Sequence, residues 1–174
     1  MASGMTKLVW KPRSAPIEVG AVREAEGTIR RLGLRSFTLL DAGLGPRARR
    51  ELYQLVRLGV QDDPGEGAGF LPFERFDEEL FEPFYWRWAD AQFLVADGER
   101  WVGLANLQLR TVERAEMGIT VVRRAYRRRG VARALKVLAL RRAQERGVER
   151  VATWNHVGNT PILELNASLG FRAV

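Results

Sequence analysis

The stretch MGITVVRRAYRRRGVARA, Met117 to Ala134, decides how this chain folds. Its first six residues are apolar or β-branched and suit a strand, and from Val131 onward Val131, Leu135, Leu138 and Ala139 fall at helical spacing. Between them lies a basic turn that contains Gly130. A strand that passes through such a turn into a helix presents unpaired backbone N–H groups at the positive end of the helix dipole. That is anion-binding geometry. Backbone amides from Arg128 to Ala132 are the expected ligands, Gly130 and Ala132 are small enough for close approach, and Arg127, Arg128 and Arg129 add charge.

The surrounding chain bounds what the anion can be. With 174 residues, 46% hydrophobic and 28% charged, the chain has the size and balance of one globular domain. A net charge of +7 would suit nucleic acid, but the excess is arginine spread over the whole chain, which disfavours that partner. The sequence has no cysteine and one histidine, His156, so thiolate chemistry is excluded and no metal site is expected. No window has the length of a membrane span and no signal-peptide core is visible, so the expected location is cytoplasmic. Gly-Lys-Ser/Thr and Gly-x-Gly-x-x-Gly motifs, the marks of two nucleotide-binding loops, are missing.

In chain order, residues 1–28 read as a tail or cloning remnant in which Leu8 to Trp10 could add an edge strand. Residues 29–174 read as a single domain without a full C-terminal strand. A first strand is expected near Leu34 to Leu40, then a helix opened by Pro46 with Leu52, Leu55, Val56 and Gly59 on one side. Gln61 to Gly69 is a loop. Phe70 to Trp88 carries Phe70, Phe73, Phe76, Phe81, Phe84, Tyr85, Trp86 and Trp88. These rings either fill a core or wall an acceptor pocket, and both readings stand for different rings.

Gln92 to Ala96, the turn Asp97-Gly98 and Trp101 to Leu109 form a hairpin, in which parity puts Val102, Leu104, Asn106 and Gln108 on one side. Glu116 to Val122 completes a meander, with Glu116, Gly118 and Thr120 on one side. The helix from Val131 stops at Gly147, and Val148 to Trp154 follows as a parallel neighbour of the Glu116 strand across a βαβ crossover. Thr160 then caps a last helix with Pro161 at its first position. The fold class is α+β, an α/β/α three-layer arrangement with a mixed, mostly antiparallel sheet and one crossover.

Arg127-x-x-Gly130-x-Ala132 resembles the acyl-coenzyme A signature of the GCN5-related N-acetyltransferase (GNAT) superfamily. Thr153-x-Asn155-x-x-x-Asn159, then Asn166, then Leu169-Gly170-Phe171, is similar to the mycothiol-synthase-like and tandem-domain subgroup. The resemblance covers about Gln92 to Phe171 by motif and the earlier residues only by topology. It implies an acetyl-CoA-dependent N-acetyltransferase acting on a small-molecule or peptide amine by direct attack, without metal. It further implies pantetheine between the strands Glu116 to Val122 and Val148 to Trp154, held by backbone of Ile119, Val121 and Val122. Val131 belongs to the diphosphate turn, and Asn155 and Asn159 reach the cofactor arm.

The reaction needs a base, an oxyanion donor and an acid for the thiolate. Glu116, eleven residues before Arg127, stands where some family members carry a catalytic glutamate. Asn166 stands where the family's acid is usually a tyrosine, so protonation falls to water, Tyr126 or Tyr85. That departure keeps a second reading open, a catalytically weak acyl-CoA-binding or regulatory module of a tandem protein, and homodimerisation stays open as well. Asp62, Asp63, Glu66, Glu74, Asp77, Glu78 and Glu79 either attract a cationic acceptor or form a solvated face.

Overall fold

The computed structural model describes residues 4–63, 69–80 and 88–174. Seven strands form one sheet: β1 (Met5–Trp10), β2 (Arg35–Thr38), β3 (Phe93–Asp97), β4 (Arg100–Thr111), β5 (Arg114–Val122), β6 (Arg150–His156) and β7 (Arg172–Ala173). Their order is β2-β3-β4-β5-β6-β1-β7, and every pairing is antiparallel except β5 with β6. Helices α1 (Val19–Arg31), α2 (Leu39–Ala42), α3 (Pro46–Gln61), α4 (Phe73–Leu80), α5 (Val131–Glu145) and α6 (Thr160–Ser168) accompany it.

The sheet is buried on both faces, so its strands feed two separate cores by alternation. Val95, Ala105 and Leu107 join α1 and α5 in one core, whereas Leu94, Ala96 and Leu104 join α3 and Phe76 of α4 in the other. Helix α5 is apolar on nearly all sides because it lies between the sheet and α1, whose Ala25 and Ile29 are one turn apart and buried.

Residues 5–31 are structured, which corrects the reading of residues 1–28 as a tail. β1 lies inside the sheet between β6 and β7, not at its edge, with Trp10 wholly buried. The strand expected near Leu34 to Leu40 is β2, which ends at Thr38 because Thr38 caps α2 from Leu39. The β3–β4 hairpin forms, but its two-residue loop is Gly98-Glu99, since Asp97 pairs with Arg100, and Gly98 lies in the left-handed region. The last helix is capped by Asn159, without a side-chain bond, rather than by Thr160. β7 is two residues long and pairs with β1.

Two bulges overturn the parity expected for β4 and β5. The β3–β4 register shifts at Val102, which therefore joins the α5 core while Leu104, Asn106 and Gln108 face α3. On β5, Thr120 pairs with Ala105 but Met117 with Leu107, so Gly118 and Ile119 together oppose Asn106. Met117 and Val122 consequently belong to the α5 core, and Ile119 and Val121 to the α3 core. Glu116 and Thr120 end up on opposite faces.

Candidate active site

β6 pairs with β1 along its length, but with β5 only from Arg114↔Arg150 to Glu116↔Ala152. Beyond Glu116 the two strands part, and β5 from Met117 to Val122 has no strand partner on that edge. Free strand edges offer N–H and C=O groups to any extended ligand with amides of its own. The gap opens into a groove of about 780 Å³ floored by Gly118 to Val122 and walled by Trp154, Asn155 and Asn159. The C-terminal end of α3 closes on it, and Gly59 permits this approach, because a Cβ there would lie 2.3 Å from Ile119 Cδ1.

At the groove's other end lies the basic turn. Gly130 is the N-cap of α5 with φ +83°, and Arg128, at φ +61°, is the one non-glycine residue in the left-handed region among those described. Such conformations cost energy and collect at ligand clamps. The turn aims the first N–H groups of α5 into the groove mouth, which suits a diphosphate.

Ile119, Val121, Val122, Arg127, Arg128, Gly130, Val131, Ala132, Asn155 and Asn159, all expected from the sequence to meet the cofactor, do line one groove. Arg129 does not: it faces a neighbouring hollow with Thr28 and Arg31 of α1. The Arg127 guanidinium is also occupied, donating to Val122 O at 2.7 Å and pairing with Asp62. Asp62 is bonded by Arg124 as well, at 3.2 Å. It thereby ties the turn to α3 and is not free to attract an acceptor.

Burial raises the Asp62 carboxyl, but hydrogen bonds from Arg127 and Arg124 outweigh it and hold the group below its ordinary value of 3.8. A depressed folded value adds stability above the unfolded value that is lost as pH falls through the folded one. Asp62→Asn is expected to cost about 1 kcal/mol at neutral pH, a fall of roughly 2–4 °C in melting temperature, vanishing in strong acid. Thermal melts across pH check this.

Neither expected catalytic residue sits as the sequence suggested. The Tyr126 hydroxyl donates to Asp97 at 2.6 Å, and that hydrogen bond, with some burial, raises its pKa. Tyr126 lines the groove, with its phenolic proton directed to Asp97. Glu116 stands where β5 and β6 part, outside the groove lining, with its carboxylate bonded to Arg110 at 3.0 Å. Tyr85, Phe81, Phe84, Trp86 and Glu66 lie outside the described residues.

On the α3 side, Phe70, Phe76 and Ile119 wall a smaller hollow of about 160 Å³. The amides of Gln92, Asn106 and Gln108 bond in series beside it at 2.8 and 2.9 Å. Phe70 and Phe76 also pack on Tyr53, as the core reading of the aromatic segment expects. Asp77 is bonded to Arg49, and Glu78 and Glu79 to Arg75, as a paired surface.

Sequence reasoning missed Lys136, which lies in the groove lining and is only 1% exposed. The signal was present, a lone charge inside Ala134-Leu135-Lys136-Val137-Leu138. Asn166 is also fully buried; its Nδ2 donates to Asn155, and its Oδ1 has no partner among the described residues.

A mixed seven-stranded sheet, parted beside a helix that starts on a glycine turn, is the acyl-CoA N-acyltransferase fold. The model of the acetyltransferase (GNAT) family matches residues 51–171, and the chain belongs to that family. A GCN5-related N-acetyltransferase from Sphaerobacter thermophilus shares the fold with TM-score 0.69 and 18% identity over 98% of this chain and 48% of its own. A tandem GNAT protein from the clavulanic acid biosynthesis pathway gives TM-score 0.62 and 16% identity over 98% of this chain and 50% of its own. The NatC complex bound to Gag peptide and CoA gives TM-score 0.59 and 16% identity over 80% and 84%. The chain thus spans about half the length of the first two. A search of curated proteins found no match to it. Among the described residues, no helix is long and apolar enough to cross a membrane.

Proposed function

We propose that the chain is an N-acetyltransferase that moves the acetyl group of acetyl-CoA to a primary amine by direct attack. The parting of β5 from β6 beside the Gly130 turn carries this reading, because one continuous groove offers amide-binding edge, diphosphate turn and reaction end. The bound thioester supplies an activated acetyl carbon. Arg128 and the amides at Gly130, Val131 and Ala132 hold the diphosphate, and Ile119, Val121 and Val122 orient the arm with Asn155 and Asn159. The bulge at Gly118–Ile119 keeps backbone out of the ladder, which leaves an amide to stabilise the developing oxyanion.

Glu116 takes the amine's proton through a water, with Arg110 holding its carboxylate in place. Glu116→Gln is expected to lower kcat roughly a hundredfold, the low end of general-base effects, without changing affinity for CoA. An unaltered pH–rate profile would remove Glu116 from this role.

Release of free thiol from acetyl-CoA in the presence of small-molecule and peptide amines tests the activity. A second reading, an acyl-CoA-binding module of a tandem protein, is favoured by the buried Asn166 in place of a hydroxyl acid. Binding of CoA without thiol release under any acceptor would establish it.

A further inference from the structure

The proposed transfer leaves a thiolate that must gain a proton, and the Tyr126 hydroxyl proton is already given to Asp97. Of the ionisable groups that line the groove, Lys136 alone is buried, and the steps above give it no part. Lys136 lies on the second turn of α5, and its Nζ stands 3.4 Å from Thr120 Oγ1, on the stretch of β5 between the bulge and Val122. The ammonium also lies 5.6 Å from the centre of the Phe171 ring, and Phe171 N donates to Asn166 O. It therefore sits between the unpaired edge of β5 and the segment that carries Asn166, one to two turns along α5 from the Gly130 turn.

A wholly buried cation is costly unless it is paired, and no carboxylate bonds Lys136 among the described residues. Its surroundings are Thr120 from β5, the Phe171 ring after α6, and, one turn back on α5, Arg133, whose guanidinium is bonded to Ser168 at 2.8 Å. Glu116 lies on the other face of the sheet. Burial alone pulls the ammonium down from 10.5 to about 7. The chain has three lysines, Lys7, Lys11 and Lys136, against twenty-five arginines. The one basic residue buried in the groove is thus of the type that can release its proton near neutral pH, which arginine cannot.

We propose that Lys136 is the acid of the reaction, giving an Nζ proton to the coenzyme A sulfur as the carbon–sulfur bond breaks. The acetyl carbon forms its bond to the acceptor nitrogen, the sulfur leaves with the electron pair and takes the proton, and Lys136 is left neutral until solvent reprotonates it. This role rests on the acetyltransferase reading. It predicts that turnover falls as pH rises through the Lys136 value, since the charged form is the donor.

The test titrates the thiol of CoA bound to the full chain by the ultraviolet absorbance of its thiolate. A cation within contact distance lowers the bound thiol's midpoint by about 1–3 pH units relative to free CoA. Lys136→Met abolishes that shift and lowers kcat with KM unchanged, while binding of desulfo-CoA is retained. Lys136→Arg keeps the shift but loses turnover, because its charge cannot be donated. A Lys136→Met protein that binds desulfo-CoA and titrates like wild type overturns the proposal. Should that variant fail to fold, the wild-type Lys136 Nζ resonance decides. CoA alters its titration and desulfo-CoA does not; equal effects of the two overturn the proposal. Wild-type protein that fails to bind CoA overturns the acetyl-CoA reading itself. Protein that binds CoA and shows the Lys136-dependent shift, yet releases no thiol, retains the contact and refutes only the enzyme.

Discussion

In the Gly130→Asp variant, affinity for CoA is expected to fall by about a thousandfold, read by calorimetric titration. An added carboxylate stands where the diphosphate approaches the start of α5, and like charges brought together cost several kcal/mol, with each 1.4 kcal/mol a factor of ten. The backbone adds a smaller penalty. Gly130 sits at φ +83°, and its new Cβ would lie 3.3 Å from Thr28 Cγ2, a left-handed strain of about 1–2 kcal/mol. An anion at a helix N-terminus favours the helix itself, so the fold should persist. Gly130→Ala carries the strain without the charge and should lose much less affinity. Unchanged binding in Gly130→Asp would remove this turn from diphosphate recognition.

Trp10→Ala is expected to cost about 3–5 kcal/mol, the range for emptying a buried tryptophan site, and to lower the melting temperature by roughly 6–20 °C. Trp10 is wholly buried in a strand that has neighbours on both edges, and its Nε1 donates to Ala15 O at 2.8 Å. Losing the ring leaves both a cavity and an unsatisfied carbonyl. A melting curve matching wild type would show β1 to be dispensable.

These two positions mark where sequence reading worked and where it stopped. The anion turn was readable because strand, glycine and helix are adjacent in sequence, and so were the β3–β4 hairpin and the βαβ crossover. β1 was not, because just Leu8 and Trp10 of its six residues are buried and Pro12 and Pro16 follow closely. Its strand character comes from partners almost the whole chain away. Helix α1 buries so few residues that its charged composition hid it.

Within the site, most residues singled out in the sequence line one groove, whereas their side-chain partners were not legible. Alternation is a reliable guide until one residue is inserted, and the bulges at Val102 and Gly118–Ile119 reverse the faces beyond them. Arg127 and Tyr126 carried the right chemistry for a ligand, but their partners Asp62 and Asp97 are distant in sequence. No local pattern shows such pairing.

The place of β1 bears on how the chain reaches this state. Its partner β6 begins at Arg150, so the pairing of Met5 with His156 must wait until about 150 further residues have been made. Until then Leu8, Val9 and Trp10 have no sheet to enter. Contacts so far apart slow folding and prolong the time during which apolar segments are available to other chains. During synthesis, α5 and the β3–β4–β5 meander can assemble first from nearby contacts, with β1 arriving late to fill the slot between β6 and β7. A chaperone that holds the first segment until the last strands emerge would act on the slowest step of assembly.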